Sequence, residues 1–456
     1  MEKLQTTMTL KEAKFDINEL FFSITDQDST IRFGNEVFIR ISGYDKDELI
    51  GSFHNIIRHP DMPKIIFKTF WEYLQAGKPI VAYVKNKTKE GGYYWVLAAV
   101  FPLNDRYVSI RIKPNSKFFS IAKELYFKLL MAESQEGIEA SEQLIPKLLN
   151  DLGYTTYEHF MSDALLSELQ ERQKVISYSQ NGSEYESPLT LAYSYSKALM
   201  KEYDLWFEKI EMFSQVKSMF EEKGLVLRLL AREIVFLSLN ASVSSYKIEN
   251  GGETFGVLAR DIRINAKEND TLIDQIHSSV ERITVLLNEV IFSVSALRLQ
   301  IDMVLFFLEE VVRKNDELGM DEIINNMNDL VVLVLNYTDK LNAVQAQLEI
   351  KIQGTLTNLD QLEQQMMYLG YVQIYGIIEA AASQDESARF QVIFSQLKTL
   401  VQQTSHEIEV MQKMGGSFYS ENRLLIEKSV GIEKVSKLLK EEILHLQKNG
   451  TITWMK

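Results

Sequence analysis

The chain has 456 residues, 46% of them apolar, and a net charge of −14. That length and apolar content support two or three packed domains and exclude a wholly disordered chain. The acidic balance argues against a nucleic-acid binder, which needs a basic surface to displace counterions, and against attachment to anionic lipid by charge alone. Cysteine is absent, which excludes disulfides, thiol nucleophiles, cysteine-ligated iron–sulfur clusters and a cysteinyl adduct to a cofactor.

The opening MEKLQTTMTLKEAKFDINEL lacks the apolar core of a signal peptide. The most apolar stretch, VLFFLEEVV, is interrupted by Glu309 and Glu310, so no membrane span is expected and the cytoplasm is the expected location. Residues 1–19 are taken as an N-terminal cap. Residues 20–116 read as an α+β domain. FFSITD and TIRFGN form a strand pair around the turn residues Asp26 to Ser29. NEVFIRISGY through the 70s is mostly helical. PIVAYVKNKT, YYWVLAAVFPL and YVSIRIK follow as three strands, with Gly91-Gly92 and Asn104-Asp105 as hairpin turns. A five-stranded antiparallel sheet with helices is expected.

Residues 117–188 read as a helical linker domain, with breaks at Asn150 to Tyr154 and at Gln180 to Pro188. All seven prolines lie within the first 188 residues and the remaining 268 contain none. Proline costs about 3 kcal/mol in a helix interior, so this tract permits very long helices. Positions 273, 276, 280, 283, 287, 290, 294, 297, 301, 304, 308 and 311 alternate steps of three and four, and all are Ile, Val or Leu. The positions 327, 330, 334, 337, 341, 344 and 348 repeat the pattern. Such unbroken heptad phase specifies packed seams in a long all-α antiparallel coiled coil or four-helix bundle. The four helices are expected at about 189–248, 253–316, 320–382 and 386–450, grouped as hairpins 189–318 and 319–456.

The motifs SGY, HN-x-x-RHPDMP, VKN and YYWV, between Ser42 and Val96, resemble the PAS domain of the bacterial aerotaxis receptors. The resemblance implies non-covalent FAD and a redox, energy or oxygen sensor. The residues suit that role. Arg58 and His59 offer charge or hydrogen bonds to a phosphate or ring oxygen, with Asp61 fixing their orientation. His54 and Asn55 belong to the same motif, Asn86 presents an amide to a polar ring edge, and Trp71, Tyr94 and Trp95 offer aromatic surface. Plainer readings exist for each. RHPDMP is also a helix-start turn, Trp71 also a helix core residue, and Trp95 also a sheet-face core residue. His54 or His59 is also a candidate haem ligand.

Leu237 to Asp270 (LSLNASVSSYKIENGGETFGVLARDIRINAKEND) resembles the hairpin tip of the methyl-accepting chemotaxis proteins. Tyr375 to Thr404 aligns to the same tip without a gap, 135 residues downstream: Phe255 meets Phe390, Val243 meets Ile378 and Val257 meets Val392. A duplicated hairpin could form within one chain the bundle that a receptor forms between two. Both tips depart from the family: Ser244 and Lys247 in the first and Ala382 in the second stand where receptors carry Glu, Arg and Arg. The contacts that receptors make there with a chemotaxis histidine kinase, its coupling protein or other chemoreceptors are therefore in doubt. PAS-mediated homodimerisation is compatible with the pattern. The Glu309-Glu310 and Glu441-Glu442 pairs lack the small flanking residues of methylation sites and read as solvated charge. No phosphate-cradling loop, metal-spaced histidine cluster or nucleophile motif is present, so a signalling protein is expected and an enzyme is not. The alternative is a PAS scaffold protein that co-assembles with chemoreceptors or binds another small ligand.

Overall fold

The computed structural model describes residues 11–176, 189–246, 252–313, 320–382 and 388–449. The α+β domain contains β1 (Phe21–Asp26), β2 (Ile31–Gly34), α1 (Glu36–Ser42), α2 (Lys46–Leu49), a 3-10 turn (His54–Ile57), α3 (Lys64–Gln75), β3 (Ile80–Lys87), β4 (Tyr93–Leu103) and β5 (Arg106–Ile112). The sheet order is β2-β1-β5-β4-β3, and every adjacent pair is antiparallel. The expected turns close it: Gly91 (φ 83°) lies between β3 and β4, and Asn104 (φ 54°) between β4 and β5. Both sit in the left-handed region that glycine and asparagine tolerate best.

Asn35 starts α1 by accepting the Phe38 N–H on its side chain, and Gly43 ends it at φ 74°. Gly34 is required for a different reason. A Cβ there would lie 2.5 Å from Phe38 Cδ1. Period-two alternation gives the sheet two faces. One, covered by α1 to α3, carries Val84, Asn86, Ala98, Val100, Tyr107, Ser109 and Arg111 around a cavity. The other is buried beneath helices that come later in the chain.

Those helices are α4 (Lys117–Glu136), α5 (Ile138–Asp151) and α6 (Tyr157–Val175), then α7 (Thr190–Glu208), α8 (Ile210–Ser245), α9 (Gly252–Arg313), α10 (Met320–Ala382) and α11 (Ala388–Asn449). The break near 150–154 is present, and a further break falls at Gly137, at φ 89°. The break expected at 180–188 lies outside the described residues. The first long helix is interrupted at Lys209, which separates α7 from α8. The last three run 62, 63 and 62 residues, or about 90 Å each at 1.5 Å per residue. Every one of the heptad positions named above is buried.

The chain divides into two compact units, one of Met1–Glu208, Ile291–Leu341 and Val430–Lys456, the other of Lys209–Val290 and Asn342–Ser429. In the first, Glu168 of α6 is buried and accepts hydrogen bonds from the Tyr83 hydroxyl (2.7 Å), the Ser116 hydroxyl (2.8 Å) and the Asn115 and Ser116 N–H groups (2.6 and 2.9 Å). Four donors meet the need of a buried carboxylate and fasten α6 to the sheet and to the start of α4. Phe307 of α9 packs edge-on against Phe22 and Phe33, and Tyr337 of α10 against Phe101. Contrary to the expectation that Glu309 and Glu310 leave no membrane-length apolar stretch, an 18-residue window of α9 is long and apolar enough to cross a membrane by composition. It is 94% buried inside the protein. Packing on every side of α9 there accounts for its all-round apolarity. Two charged residues in this stretch are ion-paired: Arg298 with Asp204 at 2.6 Å, and Asp302 with Arg172 at 3.4 Å.

The second unit is a four-helix bundle made by α8, the first part of α9, the second part of α10 and the first part of α11. Phe213 of α8 meets Phe418 of α11, Arg282 of α9 donates to Gln347 of α10, and Gln412 of α11 donates to Asp360 of α10. Phe255 and Phe390, paired by the 135-residue offset, stack with ring centroids 4.4 Å apart. The four positions Phe236, Leu239, Val243 and Val257 are exposed apolar residues, and so are Tyr371, Ile374, Ile378 and Val392, each 135 residues on. Lys247 lies outside the described residues.

Candidate functional site

Between the sheet and α3 lies a cavity of about 240 Å³. Its walls alternate with the strands. Val84 and Asn86 come from β3, Ala98 and Val100 from β4, and Tyr107, Ser109 and Arg111 from β5. Phe67, Phe70, Trp71 and Leu74 come from α3, while His54, Asn55 and Arg58 come from the 3-10 turn and the residue after it.

The polar groups at its base are unusual. Arg111 is 4% exposed, yet among the described residues no carboxylate pairs with it. Its guanidinium donates to Ser23 Oγ at 3.0 Å, lies 2.7 Å from His54 Nε2, and stands 5.3 Å from the centre of the Phe38 ring. Burial lowers Arg111 to about 10. Burial, aided by the Arg111 charge, pushes His54 down to about 3, so its imidazole is neutral and Nε2 accepts from Arg111. Asn86 Nδ2 and Ser109 Oγ are buried with no hydrogen-bond partner, and so is the Tyr94 hydroxyl nearby on β4. A buried donor left unmade costs about 1–3 kcal/mol. Two of them on one cavity wall, beside a cation with no carboxylate among the described residues, are suited to a group that brings polar atoms or negative charge.

Of the eight residues expected at a site, five line this cavity: His54, Asn55, Arg58, Trp71 and Asn86. The distant motifs RHPDMP and VKN meet because an isolated antiparallel bridge joins Arg58 to Asn86. Arg58 also lies over the Phe67 ring at 4.0 Å. The other three do not line the cavity. His59 is buried against Tyr93 and accepts the Asp61 N–H on Nδ1 at 3.1 Å, while Asp61 pairs with Lys85 at 2.6 Å. These two shape the turn and tie it to the edge strand. Trp95 is an odd-numbered position of β4 and points to the opposite face, where it packs edge-on against Phe119 at 5.4 Å. Arg111 and Ser109 went unrecognised in the sequence. Their signal is the polar alternation Tyr107, Ser109, Arg111 along one face of a strand that is otherwise apolar.

A family model described as the PAS fold matches residues 31–111, which include all the residues that line this cavity except Thr25 and Ser29. The chain therefore carries a PAS domain followed by a long helical region. Over 121 residues it is 39% identical to the aerotaxis receptor of Escherichia coli (strain K12), a match that spans 25% of this chain and 24% of that receptor. Among solved structures, the light-state LOV domain of the blue-light photoreceptor Aureochrome1 is 20% identical, covering 23% of this chain and 88% of that one, with a TM-score of 0.22. The PAS domain of the Cronobacter turicensis RpfR quorum-sensing receptor, in complex with BDSF, is 14% identical over 21% of this chain and 94% of that one, with a TM-score of 0.20.

Proposed function

We propose that this chain is a flavin-binding PAS sensor of redox, energy or oxygen state that takes FAD and signals in aerotaxis through its helical bundle. One observation carries the reading. The cavity of a PAS domain related to an aerotaxis receptor holds a buried guanidinium that no carboxylate pairs among the described residues, next to unpartnered Asn86 Nδ2 and Ser109 Oγ. A flavin ring edge, with its carbonyl oxygens and ring nitrogens, meets all three needs, and the ring supplies reversible electron transfer when bound. Arg111 and Asn86 donate toward that edge, and Ser109 either donates or accepts. His54 holds Arg111 in place from behind, and Trp71, Phe67 and Phe70 form the apolar wall. Arg58, at the partly exposed side, is suited to the phosphates of a dinucleotide. The chemotaxis kinase, its coupling protein or neighbouring chemoreceptors belong to this proposal as partners, as does a cytoplasmic location.

The test is the absorbance spectrum of the purified full-length chain, with extraction of the bound chromophore. Flavin absorbance, and FAD released on denaturation, are expected. Arg111→Met and Asn86→Ala should each lower occupancy at least several-fold while the circular dichroism spectrum is kept. A chain that binds no flavin from excess FAD, or shows a haem Soret band instead, overturns the proposal.

A further inference from the structure

Glu310 stands near the end of α9, in a pair that reads in sequence as solvated charge. Glu309 fits that reading in part. It is exposed, although its Oε1 accepts from the Tyr193 hydroxyl at 2.9 Å. Glu310 does not fit it. The residue is 3% exposed, and its carboxylate reaches into the PAS domain. Oε2 accepts from Asn35 Nδ2 at 2.9 Å, and Oε1 accepts from the Glu36 N–H at 2.6 Å. Asn35 is itself a junction. Its Oδ1 accepts from the N–H groups of Phe22 and Phe38, and its Nδ2 also donates to the Leu20 carbonyl. One buried amide thus joins β1, α1 and α9.

The same junction lies one side chain away from the cavity. Phe38 is stacked on His54, with ring centroids 6.0 Å apart and planes 11° from parallel, and the Arg111 guanidinium lies 5.3 Å from the centre of the same ring. Its ring is pressed on the backbone of Gly34, where even a methyl group would lie 2.5 Å from Cδ1. A displacement of His54 or Arg111 is therefore passed to Phe38, and from Phe38 to Gly34 and Asn35, with no slack to absorb it. At the far side Phe307, one helical turn from Glu310, packs against Phe22 and Phe33. Two ion pairs between the PAS domain and these helices, Lys46 with Glu322 and Arg106 with Asp329, are partly exposed and contribute little.

We propose that Asn35 and Glu310 form an interlock through which the occupancy or charge of the cavity biases α9. A buried carboxylate held by two donors has two favourable states: seated on both, or withdrawn and hydrated. Intermediate positions cost the desolvation of an unpaired charge. A change of charge in the cavity acts on Arg111, which has no carboxylate to buffer it, and so moves Phe38 and the start of α1. Linkage makes the effect reciprocal: releasing Glu310 changes the affinity of the cavity for its ligand by the same factor that ligand binding changes the seating of Glu310. The nature of the stimulus rests on the flavin reading above; the interlock itself does not.

Hydrogen exchange of the full-length chain tests it, followed at segments 36–42 and 303–311. Two stimuli are compared. One is chemical reduction of bound flavin. The other is Ala98→Leu, which fills the cavity with no ligand at all. Each stimulus is expected to change exchange several-fold in both segments of the unaltered chain. In Asn35→Asp the side chain still caps α1 but sets a carboxylate against Glu310. There the response of 36–42 should persist and that of 303–311 should vanish; Glu310→Ala should do the same. The interlock is overturned if 303–311 responds to neither stimulus, or responds equally with and without the Asn35–Glu310 contact. If the chain holds no flavin, the functional reading fails while the Ala98→Leu comparison still decides the interlock.

Discussion

His54 and Arg111 show how a single pair can set the character of a site. An imidazole with a folded value of about 3, against the ordinary 6.5, stays neutral in the folded chain. The unfolded chain takes up a proton as pH falls below about 6.5, and the folded chain does so only near 3. The unfolded state therefore binds more protons across that window, and stability falls as pH drops, by about 1.4 kcal/mol per unit. Above 6.5 this contribution is constant. His54→Gln keeps an acceptor for Arg111 and removes the titration. Urea unfolding at pH 7 and pH 5 should show the unaltered chain losing about 2 kcal/mol more than the variant over that interval. Equal losses would mean that His54 is not held neutral. The histidine was visible in the HN-x-x-RHPDMP motif. Its basic partner was not, because Arg111 lies 57 residues on, in a strand that reads as core.

At positions related by the 135-residue offset, the two hairpins differ in packing volume. Gly376 of α10 faces Phe394 of α11 so closely that a Cβ on it would overlap the ring. One repeat earlier, at the 135-residue offset, the two positions are Ala241 and Ala259, both buried. The second hairpin thus pairs a large residue with a glycine where the first has two alanines. Gly376→Ala alone should overpack the contact and cost about 1–3 kcal/mol. Combining it with Phe394→Ala should recover a part of that cost, since the clash is then gone, and a double-mutant cycle from thermal unfolding reads the coupling. Strict additivity of the two substitutions would show that they do not share a contact. The heptad seams themselves were fully legible, since every position in both runs is buried. The apolar window of α9 was not, because a helix surrounded by protein and a helix surrounded by lipid have the same composition.

At the scale of the whole molecule, one chain supplies all four helices of the bundle in the second unit. Linking the hairpins replaces a bimolecular association by a local one of high effective concentration. The absence of cysteine makes the arrangement simple to test. Phe255→Cys with Phe390→Cys introduces the only two thiols, at residues whose rings lie 4.4 Å apart. A short bifunctional maleimide should join them within one polypeptide, giving an electrophoretic band at the monomer mass whose yield is unchanged when the protein is diluted. A cross-linked dimer band whose yield falls on dilution would mean that the hairpins pair between chains.

The sequence by itself determined the parts that repeat or alternate. Period-two strands, turn residues able to take positive φ, heptad seams and the proline-free tract each act over a few neighbouring residues, so the PAS sheet and the long helices could be read directly. It also placed five of eight candidate residues at the cavity, because His54, Asn55 and Arg58 sit in one short motif and Trp71 and Asn86 flank it on the next helix and strand. Only the tertiary structure decided which face each side chain served. A shift of one position turned Trp95 away from the cavity, and a turn drew His59 and Asp61 out of it. It alone brought together residues far apart in the chain: Arg111 with His54, Glu168 with Ser116, and Glu310 with Asn35 across 275 positions. The reason is physical. A buried polar group takes its partner from whatever folding places within about 3 Å, and no local pattern encodes that distance.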